Sequence, residues 1–344
     1  MGIEFLNGGF YTTVQDAGRH GYQQFGMPVS GAMDLYSMRL GNLLVGNDWN
    51  TECLEVTVLG PKIRFTKSNF FAVTGGECSV TLSGVPIQTY KAYLAQAGDV
   101  LELSAAVKGS RIYLCFAGGF SLPSVMGSKS TYVKGKIGGI EGRACKAGDI
   151  LSFASPKTAL SNQDHRRIPY SMRPSLEKEQ TVRVILGPQE DAFSQVGIDT
   201  LLTQPYQVCP DSDRMGYRLE GPVIEHAPSQ DGNIISDAIS FGAIQVPGHG
   251  KPIIMMAERQ TTGGYTKIGV VISADLPKVA QMKAGDVLRF AACSVEEAQA
   301  IYREQDKQLH SLKHLWEQEM IEKSADLDIQ VNGKPFSIQI SELA

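Results

Sequence analysis

The chain has 344 residues, 42% of them apolar and 20% charged, with a net charge of −4. That is the make-up of a folded protein longer than one hydrophobic core usually serves, so two domains are expected. A pI near 5.9 gives no basic field for nucleic acid. The absence of a membrane-length apolar run or a signal-peptide layout argues against a membrane partner and for the cytoplasm.

The first notable segment is Thr12-Thr13-Val14-Gln15-Asp16-Ala17-Gly18-Arg19, continuing to Gly26-Met27-Pro28-Val29-Ser30-Gly31-Ala32-Met33-Asp34. It gathers hydroxyls, an amide, carboxylates and a guanidinium around glycines. A helix is expected over Ala32–Val45, with Ser30 as its cap and Gly46 as its stop. The N–H groups of Ser30 to Met33 would then open a helix and favour an anion. A capped helix after an ordered loop, with an Asp16–Arg19 ion pair, accounts for the same residues structurally.

Short apolar runs bounded by Gly, Pro, Asn and Asp follow, at Leu54–Leu59, Ile63–Phe65, Phe70–Val73, Val80–Leu82, Val100–Leu103 and Ile112–Phe116. They read as strands, as do Val182–Leu186, Ile253–Met256, Ile268–Ile272 and Val287–Phe290 later on. One phrase recurs: Ala97-Gly98-Asp99, Ala147-Gly148-Asp149 and Ala284-Gly285-Asp286 each place a Gly-Asp turn before a strand. The repetition suggests two related barrel-like halves. The expected division is a first half over 1–155, a polar linker or surface crossing over 156–180, a second half over 181–293, and a helix-plus-hairpin extension over 294–344.

Asp191–Leu202 is a weaker helix because Gly197 interrupts it. In Asp211–Gly221, Arg214 and Arg218 are interleaved with carboxylates such as Asp213. They would either clamp a substrate carboxylate or phosphate or form a solvated, salt-bridged strand. The segment Glu258-Arg259-Gln260-Thr261-Thr262-Gly263-Gly264-Tyr265-Thr266-Lys267 lies between apolar strands and reads as a loop at the rim of a sheet. Thr261, Thr262 and the N–H groups of Gly263 and Gly264 would line an oxyanion pocket, with Arg259 and Lys267 as its cations. A polar hairpin turn is the structural alternative.

Val295–Lys323 is expected as a long helix with a capping box from Ser294 and Glu297 and an apolar stripe running from Ala298 to Met320. His310 and His314 are four apart on it, but no third ligand is near, so no metal is expected. Leu327–Leu343 reads as a hairpin turning at Asn332-Gly333. The six cysteines are too dispersed for a metal or redox pair and are expected as reduced thiols. Nucleotide-binding, nucleophile-elbow and biotin-attachment motifs are absent, so ATP or biotin chemistry must involve another chain or an unfamiliar site.

Thr12–Asp34, Asn42-Leu43-Leu44-Val45-Gly46-Asn47, Ser212–Gly221 and Arg259–Lys267 together resemble the family that holds the 5-oxoprolinase C-type subunits, KipA and allophanate hydrolase subunit 2. This domain also forms part of the carboxyltransferase region of urea carboxylase. The resemblance spans roughly 3 to 290; His20 replaces an expected Pro.

It implies a mainly β fold of two cyclophilin-like barrel halves with few helices. It also implies a B-type, KipI-like partner and an A-type partner, with the 5-oxoprolinase complex hydrolysing 5-oxoproline to glutamate at the expense of ATP. A KipA-like regulator of a histidine-kinase inhibitor is the alternative, as is a carboxyltransferase component of a urea or allophanate pathway using biotin carried elsewhere. The functional positions carried over are Gln15, Asp16, Arg19, Ser30, Asp34, Asp213, Arg214, Arg218, Arg259, Gln260, Thr261, Thr262 and Lys267. On this reading Lys267 and the Thr261–Gly264 loop hold an oxyanion, Arg214 or Arg218 grips the substrate carboxylate, and Asp213 or Asp16 moves a proton.

Overall fold

Alternating apolar residues make most of this chain into strands. In the computed structural model, which describes residues 2–155, 163–321, 324–331 and 334–341, these strands build two adjoining β-systems. The first contains β1 (Gly2–Asn7), β2 (Tyr11–Gln15), β3 (Cys53–Thr57), β4 (Lys62–Phe65), β5 (Asn69–Glu77), β6 (Val80–Leu82), β7 (Val85–Ile87), β8 (Ala92–Ala95), β9 (Val100–Leu103), β10 (Lys108–Phe116) and β11 (Ile150–Ser152). They form one sheet in the order β11-β1-β4-β9-β6-β7 and another in the order β2-β3-β10-β5-β8. Both sheets point apolar side chains into one core, with Ile3, Phe5, Ile63 and Phe65 from one and Val14, Leu54, Ile112, Leu114 and Phe116 from the other.

Strand β10 is buried on both faces. Ile112, Leu114 and Phe116 enter the core, while Cys115 on the opposite face lies beneath α1 (Leu35–Leu44) and approaches the Met38 carbonyl. Gly41 is required in that helix because a Cβ there would stand 2.6 Å from Cys115 Sγ. The helix starts three residues later than the sequence suggested. Asp34, not Ser30, caps it by accepting from the Ser37 N–H, whereas Ser30 has a left-handed φ of 57°.

The second system contains β12 (Glu179–Leu186), β13 (Tyr206–Val208), β14 (Gly216–Glu220), β15 (Asn233–Ala238), β16 (Ala243–Val246), β17 (Ile253–Met255), β18 (Thr262–Val271) and β19 (Val287–Ala292). The order β12-β19-β13-β14-β17-β16-β18 closes into a barrel by pairing β12 with β18, and β15 adds to the outside of β18. That closing pair is antiparallel, and β12 with β19 is the barrel's parallel pair. The expected loop Arg259–Lys267 is therefore mostly strand: β18 begins at Thr262 and runs ten residues. Helix α2 (Gln195–Thr203) forms despite Gly197, where a Cβ would collide with the Glu225 carbonyl. A short helix α3 (Leu276–Gln281) follows β18.

All three Gly-Asp turns have the expected form. Gly98, Gly148 and Gly285 have positive φ, and the Asp99, Asp149 and Asp286 carboxylates each accept the N–H three residues earlier, at 2.8 Å. The described part of the expected linker, from Gln163, is not a free tether. It runs back along the first system, with Ala92 N–H donating to Arg166 O and Ile168 N–H to Tyr90 O. Residues 156–162 of that linker lie outside the described residues.

The two β-systems form one compact unit through Tyr302, and Arg303–Ala344 form another. Helix α4 (Val295–Ile321) opens with the expected capping box, Ser294 N–H to Glu297 at 2.8 Å and Glu297 N–H to Ser294 Oγ at 3.1 Å. Strands β20 (Ser324–Val331) and β21 (Lys334–Ser341) pair antiparallel with Val331 opposite Lys334. The expected turn at Asn332-Gly333, the helix end at Lys323 and the Met320 side chain lie outside the described residues.

Candidate functional site

Three of the polar segments converge where the two β-systems meet. Ser30 N–H donates to Ala257 O at 3.0 Å, and Glu258 N–H donates to Arg214 O at 2.8 Å. Arg214 is buried at the centre. Its Nε donates to Glu258 Oε1 at 2.6 Å, its Nη2 to Gly31 O at 2.5 Å, and its Nη1 to Glu55 Oε1. Glu55, on β3, also accepts from Met33 N–H at 2.7 Å and from the Tyr113 hydroxyl at 2.8 Å, with Arg111 Nε at 4.0 Å. Burial alone would lower the Arg214 pKa, but the Glu55 and Glu258 carboxylates more than offset it and the net shift is upward.

Gln281 at the end of α3 is a second fastener. Its Oε1 accepts from Ser110 N–H and Arg111 N–H, both at 3.1 Å, and its Nε2 donates to Asp34 at 2.8 Å and to Arg111 O at 3.0 Å. Asp34 is wholly buried and also holds Ser37; burial pushes its pKa up despite those bonds. The N–H groups of Ser30, Ala32 and Met33, expected at a helix start facing an anion, are instead taken by Ala257 O, Asp16 O and Glu55. Three of the four expected donors are therefore already used within the protein.

Asp16 holds the loop opposite. It accepts from Gly18 N–H at 2.8 Å, Ser128 Oγ at 2.7 Å, Lys129 N–H at 2.7 Å and Ser130 Oγ. The buried Arg19 donates to Val125 O and Ser130 O rather than to Asp16, so the expected ion pair is replaced by backbone contacts. Burial, partly countered by Asp16, lowers the Arg19 pKa. Gln15 donates to Thr13 Oγ1 and Thr131 O. These residues hold one another and the 125–131 loop.

Arg214 and Arg218 do not form a clamp. Arg218 is exposed on β14 and pairs with Asp211 at 3.1 Å. Asp213 closes a turn by accepting from Met215 N–H and pairs with Lys134 at 3.2 Å. Lys267 is buried on β18, where its ammonium pairs with Asp237 at 3.2 Å, so its charge is already balanced. Thr262 and Gly263 belong to the β15–β18 ladder, and Thr261 O accepts from Ile239 N–H.

Arg259 is different. It is half-buried, with Nε donating to Ile239 O at 3.0 Å, Nη1 to Met256 O at 3.3 Å, and its guanidinium carbon 5.4 Å from the Phe241 ring centre. No carboxylate among the described residues pairs with it, and burial lowers its pKa to about 10. Beside it, Glu258 is 4% exposed and only one of its oxygens is hydrogen-bonded among the described residues. The Ser30 hydroxyl, also buried, has no partner among them. Tyr11 on β2 is half-buried; burial first, then the charge of Glu258, raises its pKa. Arg259, Gln260, Ser30, Glu258 and Tyr11 are thus groups here with unused bonding capacity or exposure, and Thr12 Oγ1, Gln15 Oε1, Arg19 Nη1 and Arg111 Nε are likewise buried without a hydrogen-bond partner among the described residues. Sequence reasoning gave no role to Glu55, Tyr11, Tyr113, Glu258 or Gln281, because no local pattern marks what a residue meets across a seam.

All six cysteines are unpaired, and burial pushes the Cys78 and Cys145 thiols up to about 12. Among the described residues no group of three His, Cys, Asp or Glu could hold a metal ion. His310 turns back on its own helix, to Asp306 O at 2.9 Å. No helix among them is long and apolar enough to cross a membrane.

The family described as carboxyltransferase domain, subdomain A and B, matches residues 25–292. The chain is 37% identical over 311 residues to the C-type subunit of the 5-oxoprolinase of Escherichia coli (strain K12), covering 90% of this chain and 97% of that protein. It is 36% identical to the urea amidolyase of Saccharomyces cerevisiae, covering 90% of this chain and 18% of that much longer one. The crystal structure of the Kluyveromyces lactis urea carboxylase superposes with a TM-score of 0.85 at 34% identity, covering 90% of this chain and 29% of that one.

Proposed function

This chain belongs to the carboxyltransferase domain (subdomain A and B) family, and from that premise we propose that it is the C-type subunit of an ATP-dependent 5-oxoprolinase. It would act in the cytoplasm with a B-type, KipI-like partner and an A-type partner to hydrolyse 5-oxoproline to glutamate. The observation that carries the reading is the end-to-end match: the chain accounts for 97% of a 5-oxoprolinase C-type subunit but only 18% of a urea amidolyase.

The substrate is a small lactam with one carboxylate. Arg259 suits that carboxylate, because it is partly desolvated and lacks an ion-pair partner among the described residues. Gln260 and Thr261, at the start of the same rim, would complete the contact through amide and hydroxyl. Arg214 and Gln281 act indirectly, by locking the two β-systems so that the 257–261 turn is held against Ser30.

The cleft of about 660 Å³ beside Lys108, Lys178 and Lys283 is lined equally by Glu177, Glu179 and Asp286, so it offers a triphosphate no excess of positive charge. ATP is assigned to the assembled complex, and no step is routed through it here. The urea carboxylase likeness supports a second reading, carboxyl transfer to an amide with biotin carried on another protein.

The test is to purify the chain with its B-type partner, add the A-type partner and ATP, and measure glutamate released from 5-oxoproline. ATP-dependent release is expected. Tight assembly without release, or turnover only with a biotinylated carrier, would replace this reading with the regulatory or carboxyltransferase one.

A further inference from the structure

Around Arg214 the seam holds the buried Glu55, Glu258 and Arg111, with the buried Asp34 at the neighbouring Gln281 fastener. The two glutamates are not equivalent. Glu55 is saturated, with Met33 N–H and the Tyr113 hydroxyl on one oxygen and Arg214 on the other. Glu258 has only Arg214 Nε, on Oε1, and its second oxygen makes no hydrogen bond among the described residues. A buried carboxylate needed only as a counter-ion is normally satisfied at both oxygens, as Glu55 is. That second oxygen is not among the buried atoms without a partner, so it reaches solvent, where a water can meet it while Arg214 holds the other oxygen.

The neighbours of Glu258 make it usable. Arg259 follows it directly in the turn and is free of any carboxylate among the described residues. Ala257, which precedes it, carries the Ser30 loop with its unpartnered hydroxyl. Tyr11, reaching in from β2, is half-buried and stays protonated, because burial and the Glu258 charge both disfavour a phenolate. The charged or titratable groups that face this point are therefore Tyr11 from β2, Glu55 from β3, Arg111 and Tyr113 from β10, and Arg214 and Arg259 from the second system.

We propose that Glu258 is the proton-transfer group of the site. The assignment rests on the lactam-opening reading above. Water adds its oxygen to the lactam carbonyl carbon while one of its protons passes to the free oxygen of Glu258. The carbon–nitrogen bond then breaks and the proton moves on to the departing ring nitrogen, leaving a carboxyl group and an amine. Water is the only species added to the substrate, and Glu258 ends as it began.

The experiment uses the reconstituted complex with full-length chains. Glu258→Gln is expected to lower kcat by about 10²–10⁴-fold with KM for 5-oxoproline little changed. Glu258→Ala, if it assembles with its partners, should regain part of the lost kcat when formate is added while its melting temperature does not move, whereas a purely structural carboxylate would be rescued in both. Because Glu258→Gln also weakens the Arg214 pair, Glu258→Asp is the second variant: its kcat should fall while melting temperature and assembly hold. Wild-type kcat in either assembled Glu258→Gln or Glu258→Asp would overturn the assignment while leaving the lactam-opening reading intact. A wild-type complex that opens no 5-oxoproline would remove both.

Discussion

Arg214 and Arg259 stand at the same seam and are used in opposite ways. Arg214 is buried and donates to two carboxylates and a carbonyl that come from both β-systems. Arg259 is half-buried, donates only to two backbone carbonyls, and pairs with no carboxylate among the described residues. A guanidinium whose donors are all matched holds a structure together. One left desolvated and unmatched is available to an anion that arrives later, and its lowered pKa shows that its surroundings do not stabilise the charge.

The largest expected effect strikes the matched arginine. Arg214→Met leaves Glu55 and Glu258 buried without their cation, a loss of about 3–5 kcal/mol of stability. Urea unfolding measures it directly, and a cost below about 1 kcal/mol would mean that the pair behaves like a surface ion pair. Next comes Asp16, whose carboxylate gathers Gly18, Ser128, Lys129 and Ser130. Asp16→Ala is expected to cost about 1–3 kcal/mol and to expose the 125–131 loop to proteolysis; activity lost without either change would instead point to a chemical role.

The unmatched arginine predicts a pH effect. Folded Arg259 loses its proton as pH rises through about 10, so KM for an anionic substrate should climb above that pH and stay flat below it. The same limb should be missing in Arg259→Gln, as substrate titrations across alkaline buffers would show. Smallest of all is Arg218→Ala. Its exposed pair with Asp211 should change stability and turnover by no more than about 0.5 kcal/mol; a large loss of turnover would return Arg218 to the site.

Much of the fold was legible in the sequence because strand alternation and turn chemistry are local. The Gly-Asp phrases named three turns whose Asp side chains all cap as expected, and Ser294 with Glu297 marked the start of α4. The family motifs also marked neighbouring segments, since Ser30, Arg214 and Arg259 lie on stretches that touch.

What the sequence could not show was which polar residues cancel one another. Lys267 and Asp237 are thirty positions apart and lie on paired strands, β18 and β15. Glu55 is hidden in an apolar strand, and its partner Arg214 belongs to the other β-system. Ser30 resembles a helix cap, but Asp34 can accept from the Ser37 N–H and Ser30 is turned left-handed to meet Ala257. Charge pairing across a seam is a tertiary fact, so the density of polar residues pointed to the seam while leaving the roles within it open.

The most direct test of this account is steady-state kinetics of Arg259→Ala in the reconstituted complex, read beside its melting temperature. A carboxylate that loses one charged hydrogen-bond partner should raise KM for 5-oxoproline about 10- to 100-fold, with the melting temperature close to wild type. An unchanged KM in a properly assembled complex would contradict the assignment of the seam as the substrate site.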